Sequence, residues 1–118
     1  MSAGFLTTHV LDTARGTPAA GLRITLYKID GDIRQEIAVM TTNEDGRTDS
    51  PILPAAQFAI GEYELVFAAG DYLRGAGDNL AEPLFLDQVP IRFGMSEVAH
   101  YHVPLLLSPF GYSTYRGS

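Results

Sequence analysis

The sequence of 118 residues predicts an all-β protein, a sandwich of two packed antiparallel sheets with one short helix. Three observations support this prediction. Seven short runs are rich in strand-forming residues, turn residues separate these runs, and no long segment shows the 3.6-residue apolar period of a helix. Seven short strands in a chain of this length are typical of a two-sheet sandwich. We therefore expect one domain that spans residues 1–118.

Alternation of apolar and polar residues marks the clearest strands. Leu22, Ile24 and Leu26 alternate with Arg23 and Thr25, a period of two that puts apolar side chains on one face of a strand. The same pattern, together with strand-forming composition, predicts strands over residues 5–12, 22–26, 36–41, 62–67, 89–93, 100–107 and 112–116.

Glycine, proline and aspartate mark the turns between these strands, at residues 16–18, 30–32, 45–46 and 108–111. Pro90 has no N–H to donate, so we expect strand 89–93 to lie at a sheet edge or to begin near that residue. One short helix is predicted over residues 71–75. Asp71 suits its N-cap, and Gly75 and Gly77 end it.

Composition narrows the possible functions. The chain has no cysteine, which excludes thiolate nucleophiles, cysteine-ligated zinc, iron–sulfur clusters and disulfides. Its formal charge of −6 disfavours nucleic-acid binding.

No run approaches the roughly 18 apolar residues that span a bilayer, and residues 1–6 do not resemble a signal peptide. We expect a cytoplasmic protein with no membrane partner. A periplasmic or peroxisomal location stays open for a chain whose targeting segment has been removed.

Three histidines are the first candidates for chemistry. His100 and His102 share one face of strand 100–107, while Tyr101 and Val103 point to the opposite, core-facing side. His9 lies on the first strand. Imidazoles that converge would provide a general acid and base near neutral pH. Two other interpretations stay open: that each histidine is an ordinary solvated side chain, and that His9, His100 and His102 bind zinc.

Two further segments carry candidate binding groups. Arg47 follows the turn Asp45-Gly46 and could hold a planar oxyanion through paired hydrogen bonds. The chain ends with hydroxyl and aromatic residues over 112–118, which bring a terminal hydroxyl and carboxylate to wherever that strand ends. Neither a Gly-rich phosphate loop nor a Gly-x-Ser-x-Gly elbow occurs in the sequence.

These motifs together carry a family resemblance. They are Leu-Thr-Thr-His-Val-Leu-Asp at 6–12, Asp-Gly-Arg at 45–47, His-Tyr-His-Val-Pro-Leu-Leu-Leu-Ser at 100–108 and Tyr-Arg-Gly-Ser at 115–118. With them the sequence resembles the transthyretin-like family, in particular its 5-hydroxyisourate hydrolases, over essentially the whole chain. The thyroid-hormone carriers of the same fold lack the histidine set and the Tyr-Arg-Gly-Ser ending.

The resemblance implies a transthyretin-like sandwich and a hydrolase that opens the ring of 5-hydroxyisourate, in urate degradation, without a metal or organic cofactor. It implies a homotetramer, a dimer of dimers, with active sites between subunits. His100 lies in the motif but receives no role. The implied catalytic residues are His9, Arg47, His102 and Ser118, and the implied substrate-binding residues are His9, Arg47, Tyr115, Arg116 and Ser118.

Two rival functions remain at this point. One is a non-catalytic, transthyretin-like protein that binds a small ligand in a channel between subunits. The other is a structural β-sandwich in a homo-oligomer, whose histidines and terminal residues make polar contacts at an interface.

Overall fold

A computed structural model describes residues 3–77 and 79–117 and places two four-stranded sheets face to face in this part of the chain. The sheet orders are β2-β1-β7-β8 and β4-β3-β5-β6. A 3-10 turn spans Ala55–Gln57 and helix α1 spans Ala69–Gly75. The predicted fold class is confirmed. The strands are β1 (Phe5–Asp12), β2 (Thr17–Pro18), β3 (Arg23–Asp30), β4 (Ile33–Thr41), β5 (Gly61–Ala68), β6 (Gln88–Met95), β7 (His100–Ser108) and β8 (Gly111–Thr114).

One strand pairing departs from the antiparallel prediction. β1 and β7 run parallel, with Thr7 opposite His102, whereas the other strand pairs of the described residues are antiparallel. A parallel pair needs a long connection, and here the whole opposing sheet lies between the two strands in sequence. This pairing aligns the histidine motif of β7 with the Thr-Thr-His segment of β1.

The core lies between the sheets, and the strand periodicity decides which side chains reach it. Along β1 every second residue, from Leu6 to Asp12, is buried, while the intervening side chains are only partly covered. On β7, Tyr101 and Val103 are buried in the core as the alternation predicts. Burial of such apolar area, at about 25 cal/mol per Å², is the main force that holds the two sheets together.

The edge prediction for Pro90 is confirmed, because β6 is the outermost strand of its sheet. The predicted N-cap at Asp71 is wrong. β5 continues directly into α1, and the helix begins two residues earlier, at Ala69. The backbone N–H of Gly70 donates to the Asp87 carbonyl oxygen, which replaces a side-chain cap, and Asp71 pairs with Arg74 at 3.3 Å.

Other strand bounds also differ from the prediction. β3 continues to Asp30 rather than ending at residue 26, and β4 begins at Ile33 rather than at residue 36. β8 ends at Thr114, so residues 115 and 116 continue beyond the strand. β2 has only two residues, too few for a periodic signal. No helix in residues 3–77 and 79–117 has the length and apolarity to cross a membrane.

Candidate active site

One face of the β1–β7 pair carries all three histidines. Because side chains alternate along each strand, Thr7 and His9 share the face that is turned away from the core, and so do His100 and His102. On the other face, the buried Thr8 hydroxyl donates to the Val103 carbonyl oxygen at 2.7 Å. The parallel register therefore gathers two segments that are remote in sequence into one polar cluster.

A continuous series of short contacts joins the cluster. Nδ1 of His9 lies 2.7 Å from Nε2 of His102. The two ring centroids are 4.9 Å apart with 21° between the planes, so the rings meet edge to edge, as an N–H···N hydrogen bond requires. The Thr7 hydroxyl oxygen lies 2.7 Å from Nδ1 of His102 and 2.7 Å from Nε2 of His100. Phe5 stacks on the His100 ring at 4.1 Å.

The structure places Arg47 beside this cluster through a short backbone bridge to His9. Gly46 makes the approach possible, since its φ is +73° and a Cβ there would collide with the Val10 carbonyl oxygen. The Asn43 side-chain oxygen accepts hydrogen bonds from the backbone N–H groups of Asp45 (2.9 Å) and Arg47 (3.2 Å), which fixes the turn. No carboxylate among residues 3–77 and 79–117 forms an ion pair with Arg47.

The chain end passes directly over His102. The Gly117 N–H donates to the His102 carbonyl oxygen at 2.7 Å, and a Cβ on Gly117 would lie 2.7 Å from Cδ2 of the His102 ring. Only glycine lets the backbone approach the imidazole so closely. Tyr115 contributes to the wall of the same cleft. The predicted site residue Ser118 lies outside the described residues.

Arg116, predicted to bind substrate, lies elsewhere. Its guanidinium sits 4.2 Å above the ring of Tyr101 and 3.6 Å from the Glu97 carboxylate. Tyr101 belongs to the core-facing side of β7, so Arg116 is turned away from the histidines. The neighbouring residues Tyr115 and Arg116 therefore point to opposite sides of the chain. Because β8 ends at Thr114, the period of two of a strand could not predict this placement from the sequence.

Burial and the nearby charge of Arg47 keep the imidazoles of His9 and His102 neutral. Burial is the largest cause that lowers the pKa of His102 from 6.5 to about 4, and the charges of Arg47 and the two other histidines add to it. Burial, followed by the charge of Arg47, also lowers the pKa of His9. At pH 7 both rings are therefore free bases that can accept a proton.

The cleft has a volume of about 420 Å³. A neutral imidazole pair beside a guanidinium can deprotonate a water molecule and hold an anion in the same place. The lining residues are Thr7, His9, Arg47, His100, His102, Tyr115 and Gly117.

The zinc alternative does not fit this geometry. Two nitrogens that share a zinc ion at about 2.0–2.1 Å each would lie more than about 3 Å apart with their lone pairs converging on the metal. Instead, the nitrogens of His9 and His102 point at each other at 2.7 Å. In the part of the chain that the structure describes, no three His, Cys, Asp or Glu side chains are placed to hold a metal ion.

Three residues that shape the site, Thr7, Asn43 and Gly117, were not predicted as site residues from the sequence. Thr7 could have been found from the period of two, because it shares a face with His9, but its contact with His102 depends on the parallel register. Asn43 carries a weaker signal, an asparagine at the start of a Glu-Asp-Gly turn.

Together, the fold and the site define a class of protein: a two-sheet sandwich with a hydrogen-bonded imidazole pair and an arginine in an open cleft. The sequence model of the HIUase/Transthyretin family matches residues 6–117, and the chain belongs to that family.

Individual relatives agree with this assignment. The chain is 68% identical over 115 residues to the 5-hydroxyisourate hydrolase of Mesorhizobium japonicum, a match that covers 98% of this chain and 93% of the relative. The structure of Klebsiella pneumoniae 5-hydroxyisourate hydrolase is similar, with a TM-score of 0.80, 34% identity and coverage of 98% and 100% of the two chains. That of (S)-allantoin synthase is also similar, with a TM-score of 0.92 and 43% identity. This match covers 99% of this chain, which spans 44% of the length of the synthase chain.

Proposed function

We propose that this protein hydrolyses 5-hydroxyisourate, a cyclic amide, to 2-oxo-4-hydroxy-4-carboxy-5-ureidoimidazoline in urate degradation. The observation that carries the proposal is the 2.7 Å contact between the neutral imidazoles of His9 and His102, beside an arginine that no described carboxylate neutralises. The choice of substrate rests on the 68% identity to the 5-hydroxyisourate hydrolase of Mesorhizobium japonicum.

The reaction needs a base for water and an acid for the leaving nitrogen. A water oxygen bonds to the ring carbonyl carbon as the imidazole pair takes a water proton. The bond between that carbon and the ring nitrogen then breaks, and the imidazolium returns the proton to the nitrogen. Such proton transfer contributes about 10²–10⁴-fold to the rate. His9 is the base of the pair, because its Nδ1 is bonded to His102 and its Nε2 is left for the water.

Arg47 supplies the positive charge. The guanidinium binds the anionic substrate and stabilises the negative charge that develops on the carbonyl oxygen during attack. One donor of this kind contributes roughly 2.7–4 kcal/mol, or about 10²–10³-fold. Tyr115 forms part of the cleft wall. A role for Ser118 in orienting water or substrate stays a prediction.

The assay generates 5-hydroxyisourate from urate with urate oxidase and follows its ultraviolet decay with and without this protein. We expect faster decay than the spontaneous background, unchanged by a chelator. Arg47→Ala should reduce the acceleration about 10²–10³-fold. Arg23→Ala is the matched control, since it removes an exposed positive charge from β3, on the other sheet. Decay at the background rate in the presence of folded protein would overturn the proposal, and ligand binding without turnover would instead indicate a carrier.

We further propose that the protein is a homotetramer, a dimer of dimers, with the cleft completed between subunits. Support comes from β6 and β8, which lie at edges of their sheets and share a cavity of about 300 Å³. Open strand edges pair readily with strands of another subunit. Native mass spectrometry should show four times the 12.8 kDa chain mass, whereas a catalytically active monomer would contradict the assembly.

The cytoplasmic location stays a prediction, which cell fractionation can test.

A further inference from the structure

We propose that Thr7 is a positioning residue for this reaction: its hydroxyl joins His100 to His102 and so decides which ring nitrogen of His102 carries the proton. This inference rests on the proposed function, and it deepens it by giving His100 a part in the site. The single hydroxyl oxygen of Thr7 makes both 2.7 Å contacts, one to each imidazole.

A hydroxyl group has one proton to donate and lone pairs to accept with. Thr7 can therefore donate to only one of its two imidazole neighbours, and the other neighbour must donate to Thr7. If Nε2 of His100 accepts, then Nδ1 of His102 carries a proton and donates. If Nδ1 of His102 accepts, then Nε2 of His100 is the donor. The hydroxyl thus couples the tautomers of the two histidines.

The coupling continues to His9. The contact between Nδ1 of His9 and Nε2 of His102 also needs one proton. When His102 is protonated on Nδ1, its Nε2 accepts from His9, and Nε2 of His9 is left without a proton and can act as a base. When His102 is protonated on Nε2, it donates to His9, whose Nε2 then carries a proton and acts as an acid. The orientation of one hydroxyl therefore selects the base form or the acid form of His9.

The same series of hydrogen bonds can move a proton without leaving positive charge on the half-buried rings of His9 and His102. Nε2 of His9 takes the water proton, and the proton on its Nδ1 passes to Nε2 of His102. The proton on Nδ1 of His102 passes to Thr7, and the Thr7 proton passes to Nε2 of His100. The positive charge ends on His100, which is exposed to solvent, and the reverse sequence returns a proton to the leaving nitrogen.

The surroundings hold these groups in place. The parallel register sets Thr7 directly opposite His102, and Phe5 stacks on His100 with 10° between the rings. Thr7 is β-branched, which restricts its side-chain rotamers. The groups that face the cluster from other elements are Arg47, from the turn after β4, and Tyr115, from the segment after β8.

The test compares Thr7→Val, which keeps the shape and removes the hydroxyl, with Thr7→Ser, which keeps the hydroxyl. Thr8→Val is the matched control, because it removes a neighbouring hydroxyl that bonds to the β7 backbone on the opposite face. Nitrogen-15 NMR of the histidine rings at pH 7 reports the tautomers. Steady-state kinetics with 5-hydroxyisourate report kcat and KM, and circular dichroism reports folding.

We expect one defined His102 tautomer in the wild type, in Thr7→Ser and in Thr8→Val, and a mixture in Thr7→Val. The kcat of Thr7→Val should fall roughly 10–100-fold, the range for residues that orient a functional histidine, with KM near the wild-type value. An unchanged tautomer or an unchanged kcat in folded Thr7→Val overturns the inference, and so does a failure of Thr7→Ser to restore both. If the wild type shows no turnover, the proposed function fails, while the NMR comparison still decides the coupling.

Discussion

Gly117 offers the sharpest test of how the chain end shapes the site. In Gly117→Ala the new methyl carbon would lie 2.7 Å from Cδ2 of His102, whereas ordinary contact begins at 3.4 Å, so the ring and the chain end must separate by about 0.7 Å. The His102 ring cannot move alone, because both its nitrogens are in 2.7 Å hydrogen bonds, to Thr7 and to His9. A misplacement of about 1 Å in a catalytic group costs on the order of 10²-fold.

We therefore expect kcat/KM of Gly117→Ala to fall by about 10²-fold with the fold intact. The matched control is Gly111→Ala, where a new Cβ would meet only the Ser108 hydroxyl oxygen, at 3.9 Å. The ultraviolet decay assay measures the rates, and circular dichroism and native mass spectrometry check folding and assembly. Wild-type kcat/KM in Gly117→Ala would show that the close passage of the chain over His102 does not matter for catalysis.

The remaining predictions concern charge. The pKa of His102 is lowered to about 4 and that of His9 is lowered from 6.5, so the acid limb of the kcat/KM profile should lie below pH 6.5. A pH–rate profile with an acid limb centred near 6.5 would contradict this. Arg47→Ala removes a charge that lowers the pKa of His9 and of His102, so both values should rise part of the way to 6.5, burial being the larger cause. NMR titration of the ring protons measures the change, and unchanged values in Arg47→Ala would place the guanidinium too far from the rings to act on them.

Much of the fold could be predicted because strand periodicity is a local property. The alternation in residues 100–107 alone assigned Tyr101 to the core and His102 to the opposite face, and burial agrees. Pro90 marked an edge strand because it lacks an N–H. The start of α1 could not be predicted in this way, since the acceptor for its first turn is the Asp87 carbonyl oxygen, a group remote from Asp71 along the chain.

The residue types of the site could be predicted from the sequence, whereas the contacts between them were harder to predict. His9, Arg47 and His102 were identified from their motifs, and the structure brings all three into one cleft. The contact of Thr7 with two imidazoles depends on a parallel pairing between distant strands, which no local pattern encodes. Arg116 was assigned from the terminal motif, and the structure places its guanidinium over Tyr101, away from the histidines, so its role in substrate binding stays a prediction.

The central claim is that this protein adds water to a ring carbonyl of 5-hydroxyisourate, and isotope labelling tests it most directly. The substrate is formed in ordinary water and then mixed with the protein in H₂¹⁸O, and the product is analysed by mass spectrometry during the accelerated phase. We expect one solvent oxygen in the new carboxylate, formed faster than in the protein-free control. Product without solvent label, or substrate that persists in a complex with the folded protein, would contradict the account.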